Sequence, residues 1–204
     1  MRFKMVKRSN TPEYRAEVVA LLLCRQFVWQ MKIAREENSS MTICELNREN
    51  AHDFIEMQLQ LDQETDNMMY EVGERPNDID RVINNLKSSK EVGSVVFLAY
   101  AEGKCVGFLL ANRGSLKRIR HGAYIVIGVL NDYQGKGIGS AFFDRLMEWA
   151  ENNKLKRLEL TVMTHNQVGV NLYKKYGFEI EGIKRCAMFV NNVYVDEYYM
   201  AKIL

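Results

Sequence analysis

Val126-Ile127-Gly128-Val129-Leu130-Asn131-Asp132-Tyr133-Gln134-Gly135-Lys136-Gly137-Ile138-Gly139-Ser140 is the stretch whose reading decides the fold. Leading into it, Ala123 to Leu130 is apolar on both faces and β-branched at Ile125, Val126, Ile127 and Val129, which suits a central strand covered on both sides. Gly135, Gly137 and Gly139 then permit positive φ and lack the Cβ atoms that would hold a ligand away from the backbone. Beyond them, Ala141 to Ala150 places Phe142, Leu146 and Trp149 or Ala150 on one face at helical spacing. A strand thus enters a glycine-rich turn and leaves it as a helix, whose unpaired first N–H groups and roughly half a positive charge face the turn. That is a place to hold a phosphate.

Spacing separates the phosphate motifs that share this logic. A P-loop needs a glycine where Leu130 stands, and Ser or Thr after its lysine, where this chain has Gly137 after Lys136. A dinucleotide fingerprint is G-x-G-x-x-G early in a βαβ unit, whereas Gly135, Gly137 and Gly139 make G-x-G-x-G late in the chain.

The turn resembles the Q/R-x-x-G-x-G/A pyrophosphate loop of the GNAT acetyltransferase superfamily, with Gln134, Gly137 and Gly139 in the three defining places. Downstream, Asn166-Gln167-Val168-Gly169-Val170-Asn171-Leu172-Tyr173-Lys174-Lys175-Tyr176-Gly177-Phe178 looks like the same family's N-x-x-A-x-x-L-Y-x-K-x-G-F helix, departing from it at Gly169. The terminal Val193 to Leu204 is similar to the last strand of many bacterial members, and taken together the motifs resemble the family's bacterial ribosomal-protein-acetyltransferase-like branch. The resemblance covers residues 41–204 and implies an α/β (α+β) fold: a mixed, mostly antiparallel central sheet flanked by helices and splayed between its fourth and fifth strands.

Coarse patterning agrees with that fold. Met41 to Leu46 reads as a first strand, Glu49 to Asp62 as a helix, and Asp66 to Lys87 as a loop with a second helix from about Asp78. Val92 to Ala101 and Lys104 to Ala111 flank Glu102-Gly103 as a hairpin, and another strand follows from His121. Arg157 to Met163 is a strand and Asn166 to Tyr176 a helix; Phe178 to Val190 and Tyr194 to Ile203 close around Asn191-Asn192. Residues 1–40 stand apart. Glu17 to Ala34 reads as an amphipathic helix that packs on the domain or on a second copy of the chain, which leaves a homodimer open, with a loosely ordered extension as the alternative.

The resemblance also implies a chemistry. Acetyl-coenzyme A would lay its pantetheine arm beside Ile127, Gly128 and Val129 as an added strand, with its pyrophosphate on the amides of Gly135, Lys136, Gly137, Ile138, Gly139 and Ser140. A backbone N–H near Gly128 would meet the acetyl carbonyl; the competing reading of Gly128 is a β-bulge. Asn166 and Tyr173 lie two turns apart on one helix face. In the family the asparagine contacts the cofactor and the tyrosine hydroxyl sits at the thioester sulfur. An N-cap and a core aromatic are the structural alternatives. Relatives that modify protein N-termini carry a base five residues ahead of the asparagine, where this chain has Thr161. Glu159, two residues earlier, could act through water or be a solvated strand-end acid.

Composition bounds the partners. The formal charge of +2 is too small for a protein whose main partner is nucleic acid. Val18 to Cys24, an apolar run, is too short to span a membrane. Cys24, Cys44, Cys105 and Cys186 form no C-x-x-C pair and have no histidines at metal spacing, so no metal is expected and four reduced thiols fit a cytoplasmic protein. Met68-Met69-Tyr70-Glu71 falls where the family covers the acceptor pocket, with core packing as the other account. The expected function is acetyl transfer from acetyl-coenzyme A to a primary amine, on a small molecule or a protein N-terminus. A non-catalytic module that binds or senses acyl-coenzyme A is the alternative.

Overall fold

A computed structural model describes residues 41–204. The helix expected over Glu17 to Ala34, and with it the 1–40 extension, lies outside the described residues. In chain order these form β1 (Thr42–Glu45), α1 (Ala51–Glu64), α2 (Ile79–Val92), β2 (Val95–Ala101), β3 (Lys104–Arg113), β4 (Gly122–Val129), a 3-10 turn (Asn131–Tyr133), α3 (Ile138–Asn152), β5 (Arg157–Met163), α4 (Gln167–Lys175), β6 (Glu179–Val190) and β7 (Val193–Ile203). One seven-stranded sheet runs in the order β1-β2-β3-β4-β5-β7-β6. Every neighbouring pair is antiparallel except β4 and β5.

That parallel pair is where the sheet opens. β4 and β5 are registered only from Gly122↔Arg157 to Tyr124↔Glu159, although β4 continues to Val129 and β5 to Met163. The far sides stay closed, β4 on β3 and β5 on β7. The backbone edge of Ile125 to Val129 that faces β5 therefore has no strand partner. Its N–H and C=O groups are open to whatever enters the gap.

Helices cover both faces near the opening. Gly107 and Phe108 are consecutive on β3 and so point to opposite sides. The Phe108 ring meets Phe54 of α1 edge-on at 5.5 Å, while the Cβ direction of Gly107 leads to Phe142 of α3 at 3.4 Å. α1 thus lies on one face and α3 on the other. Phe97, Phe108, Leu109, Phe142, Phe143 and Leu158 are the buried mass between them, and each fully buried side chain of this size contributes about 1.5–3 kcal/mol.

Two expectations need correction. α2 runs on to Val92, where the sequence suggested a strand beginning, and it stops because Gly93 takes the left-handed conformation (φ 80) and returns its N–H to Lys90 and Ser89. β4 is not covered evenly on both faces: Tyr124 is 38% exposed while Ile125 is buried, since past the last β4–β5 pair the strand borders the gap. The hairpin turns are as their residues dictate, with positive φ at Glu102-Gly103 and at Asn191-Asn192.

Candidate active site

The helix that follows the glycine turn begins without a side-chain cap. Its N-cap is Gly137 (φ 88), and no side chain accepts from its first N–H groups. By contrast, Asp78 accepts from Arg81 N at the start of α2, and Asn166 from Gly169 N at the start of α4. Gly137 O takes Ala141 N at 3.0 Å as the first helical bond, which leaves the amides of Ile138, Gly139 and Ser140 as free donors. Gly135 (φ 71) and Gly137 have nothing within 4 Å of where a Cβ would be. The concavity is therefore a cradle that side chains would fill, and an anion placed there meets N–H groups and the helix dipole.

The three glycines turn out to do different work. Gly139 lies inside α3 with no positive φ; a Cβ there would meet Leu172 Cδ2 at 2.8 Å, so its smallness lets α3 and α4 approach. Gly128 is not a bulge, because the β3–β4 register runs unbroken through Phe108↔Gly128. A Cβ on Gly128 would collide with Leu61 of α1 and with Phe108. Close packing of helix on strand is what requires glycine there.

A cavity of about 480 Å³ joins these parts. It is lined by Ile127, Gly128 and Val129, by Gln134, Gly135, Gly137, Ile138, Gly139 and Ser140, and by Asn166 and Tyr173. Gln134 spends its amide internally, donating to Val129 O at 3.1 Å and Asn131 Oδ1 at 3.0 Å, and so fixes the turn. Lys136 is not part of the lining; its Nζ sits 4.8 Å from the centre of the Tyr133 ring. Tyr173 is 7% exposed, its ring packed beside Phe143 and Phe178 at 5.8 and 6.2 Å. Burial pushes its phenol well above the usual range, and the charge of Tyr124 adds to the shift. It stays a protonated donor at any physiological pH.

Glu159 is not brought to the cavity. Its carboxylate accepts from Arg157 Nε at 2.7 Å, and the same guanidinium holds Glu181. Leu61, Thr65 and Asn67, which escaped sequence reading, supply the wall from α1 and the loop after it, beside Met68. Glu64 accepts from Asn131 N at 2.7 Å, tying that wall to the end of β4. Lys175 Nζ donates to Ser140 Oγ at 2.9 Å, which brings a cation to the rim of the glycine turn. Of the Met68 to Glu71 segment, Met68 packs against the core and lines the cavity while Met69 is exposed. Among the described residues no group of three or more His, Cys, Asp or Glu is placed to hold a metal ion, and no helix is long and apolar enough to cross a membrane.

Comparison with known proteins agrees with this geometry. The chain is similar to the L-amino acid N-acetyltransferase AaaT of Escherichia coli, 36% identical over 107 residues that are 52% of this chain and 66% of that one. It spans between about half and two thirds of the length of the first curated relatives it matches. Its fold is similar to that of a GNAT-family acetyltransferase from Streptococcus pneumoniae, with a TM-score of 0.77, 28% identity and coverage of 81% of this chain and 99% of that one. An acetyltransferase from Salmonella typhimurium, solved with its cofactor acetyl-CoA, superposes with a TM-score of 0.72 at 18% identity, over 80% of this chain and 94% of the other. Residues 57–178 match the profile of the acetyltransferase (GNAT) family, and the chain belongs to that family.

Proposed function

We propose that the chain transfers an acetyl group from acetyl-coenzyme A to a primary amine, of a small molecule or of a protein N-terminus, by direct attack. One observation carries the reading: the uncapped start of α3, the unpaired edge of β4 and the Tyr173 side chain line a single cavity. Acetyl-coenzyme A, when bound, supplies a diphosphate and an activated thioester. The amides of Ile138, Gly139 and Ser140 suit the diphosphate, with Lys175 at the rim. The open edge at Ile127 to Val129 suits an extended amide-bearing arm, which it would take up like an added strand.

Tyr173 is held by its aromatic neighbours and by the start of α4, where the Asn166 side chain caps the helix at 3.0 Å from Gly169 N. A phenol kept protonated by burial stabilises a departing thiolate by donating a hydrogen bond rather than by surrendering its proton. No described cysteine lines the cavity, which favours direct attack over a covalent acyl-enzyme. The amine class is supported by the L-amino acid named for the Escherichia coli relative.

The test is release of coenzyme A thiol with a panel of L-amino acids, dipeptides with free N-termini, polyamines and aminoglycosides. At least one amine turns over, and Tyr173→Phe lowers kcat by about 100-fold or more while leaving acetyl-coenzyme A affinity within about twofold. A parent that binds acetyl-coenzyme A but acetylates nothing in the panel is instead a binding module.

A further inference from the structure

Residues paired across neighbouring strands project to the same side of a sheet. Tyr124 pairs with Glu159 on β5, Thr161 with Tyr199 on β7, and Met163 with Glu197. Tyr124, Thr161 and Glu197 therefore share one face. It is the face of α1, because Gly128, four residues along β4 from Tyr124, points its missing Cβ at Leu61. Tyr173 comes from the other side: α4 packs on α3 through Leu172 against Gly139 and through Tyr173 against Phe143. The two groups approach the β4–β5 gap from opposite faces.

On the α1 face three side chains form a directed chain of hydrogen bonds. Thr161 Oγ1 donates to Glu197 Oε1 at 3.2 Å. Its one proton being committed there, the 2.8 Å contact with Tyr124 uses the tyrosine's proton. The Tyr124 oxygen keeps free lone pairs on the exposed α1 face, beside the last β4–β5 pair, and Tyr124 is exposed while Glu197 is 9% exposed. The cation against Glu197 is Lys184, at 3.4 Å from Oε2. Asp196, the preceding residue, is occupied by Cys186 N at 2.8 Å, and Arg157, Glu159 and Glu181 pair among themselves further along the sheet.

We propose that Tyr124, Thr161 and Glu197 form a proton relay that deprotonates the acceptor amine, with Glu197 as the final proton acceptor in place of a carboxylate at position 161. The inference rests on the acetyl-transfer reading and names the group which that reading leaves open. An ammonium group gives one proton to the Tyr124 oxygen as the tyrosine's own proton moves to Thr161 and the threonine's to Glu197. The hydroxyls end unchanged and Glu197 ends neutral. The free amine forms the N–C bond as the thioester C–S bond breaks. Of the ammonium's three protons, one stays on the amide, one is on Glu197 and later returns to solvent, and one ends on the coenzyme A thiol. Tyr124 is the contacting group; Thr161 and Glu197 act through it.

The experiment uses the full chain, acetyl-coenzyme A, and the L-amino acid or free-N-terminus dipeptide that turns over fastest. Glu197→Gln lowers kcat/KM for the amine by about 100-fold at pH 7, with acetyl-coenzyme A affinity within about twofold. The deficit narrows as pH rises toward the amine's own pKa, near 8 for an α-amine. Thr161→Val reproduces the loss and Thr161→Ser restores it. In protein labelled with carbon-13 in its glutamate carboxyls, the Glu197 signal, identified by its absence from Glu197→Gln, moves in Thr161→Val and not in Thr161→Ser. Full activity of Glu197→Gln, a deficit independent of pH, equal loss of acetyl-coenzyme A binding, or an unmoved carboxyl signal each overturns the relay. A parent inactive toward every amine overturns the acetyl-transfer reading itself, and the relay with it.

Discussion

Leu172 on α4 occupies the space that a side chain at position 139 of α3 would need: a Cβ on Gly139 would lie 2.8 Å from Leu172 Cδ2. The glycine turn and the Asn166 to Phe178 motif are thus one packing unit, joined again where the Tyr176 hydroxyl meets Ser140 O at 2.8 Å. The helix that receives an anion and the helix that carries Tyr173 hold each other in place.

Gly137 and Gly139 are separable by mutation. In Gly139→Ala the obstacle is the end of a flexible leucine, and an alanine inside a helix gains about 1 kcal/mol over glycine, offsetting the overpacking. Its stability stays within about 1 kcal/mol of the parent. Gly137→Ala meets no atom but must keep φ 88, which costs about 1–2 kcal/mol and distorts the turn. Urea unfolding and acetyl-coenzyme A calorimetry check both; a more stable Gly137→Ala would contradict the conformational argument.

Glu159→Gln leaves turnover within about threefold of the parent, because a carboxylate engaged by Arg157 outside the cavity takes no proton from an acceptor. Kinetics of this variant beside Glu197→Gln decide which strand supplies the base. A loss in Glu159→Gln as large as in Tyr173→Phe would return the role to β5.

How far the site was legible follows from how local its determinants are. Gln134, Gly137 and Gly139 fall within one turn, and Asn166 and Tyr173 within one short helix, so sequence spacing alone brings each set together. The splay was legible only through the family resemblance, and it is realised as the end of the β4–β5 ladder at Tyr124. Glu197 was out of reach because it meets Thr161 only through the β5–β7 pairing, across 36 residues of chain. Glu159 is a candidate because the strand's alternation puts it on the same face as position 161; that pattern carries no sign of Arg157, which sits on the same face and claims it. Gly128 misled for a similar reason, since its neighbour Leu61 comes from a helix more than sixty residues earlier.

The wall of the cavity depends on a buried ion pair. Arg75 Nε and Nη2 donate to Asp62 Oδ2 and Oδ1 at 2.5 and 2.8 Å, with side chains only 12% and 3% exposed. The Tyr70 ring lies 4.4 Å from the guanidinium. This fork anchors the loop after α1. Arg75→Met leaves Asp62 buried without its partner and lowers stability by about 3–5 kcal/mol, while Asp62→Leu/Arg75→Met recovers much of the loss. Arg75→Lys does not rescue, since a point charge cannot make both bonds. Equilibrium unfolding of the three variants measures this; an Arg75→Met variant as stable as the parent would refute it.

Cys105 sets a pH dependence of its own. It is 4% exposed on β3, and burial raises its thiol from 9.0 to about 12, with a backbone hydrogen bond with Gly107 acting against the shift and the charges of Asp53 and Cys44 adding to it. The unfolded chain therefore loses this proton before the folded chain does. The contribution to stability is complete below pH 9 and is lost as pH rises toward 12, with a slope of at most about 1.4 kcal/mol per pH unit. Cys44 is shifted in the same direction from 9.0 and acts over the same interval, whereas Tyr100, Tyr173 and Tyr176 are also raised but start from 10.0 and follow. Cys105→Ala is less stable than the parent at pH 7, having lost a packed sulfur, yet its stability falls less between pH 9 and 10. Denaturant unfolding across that interval separates the two proteins, and parallel curves for parent and Cys105→Ala would show that the buried thiol does not titrate there.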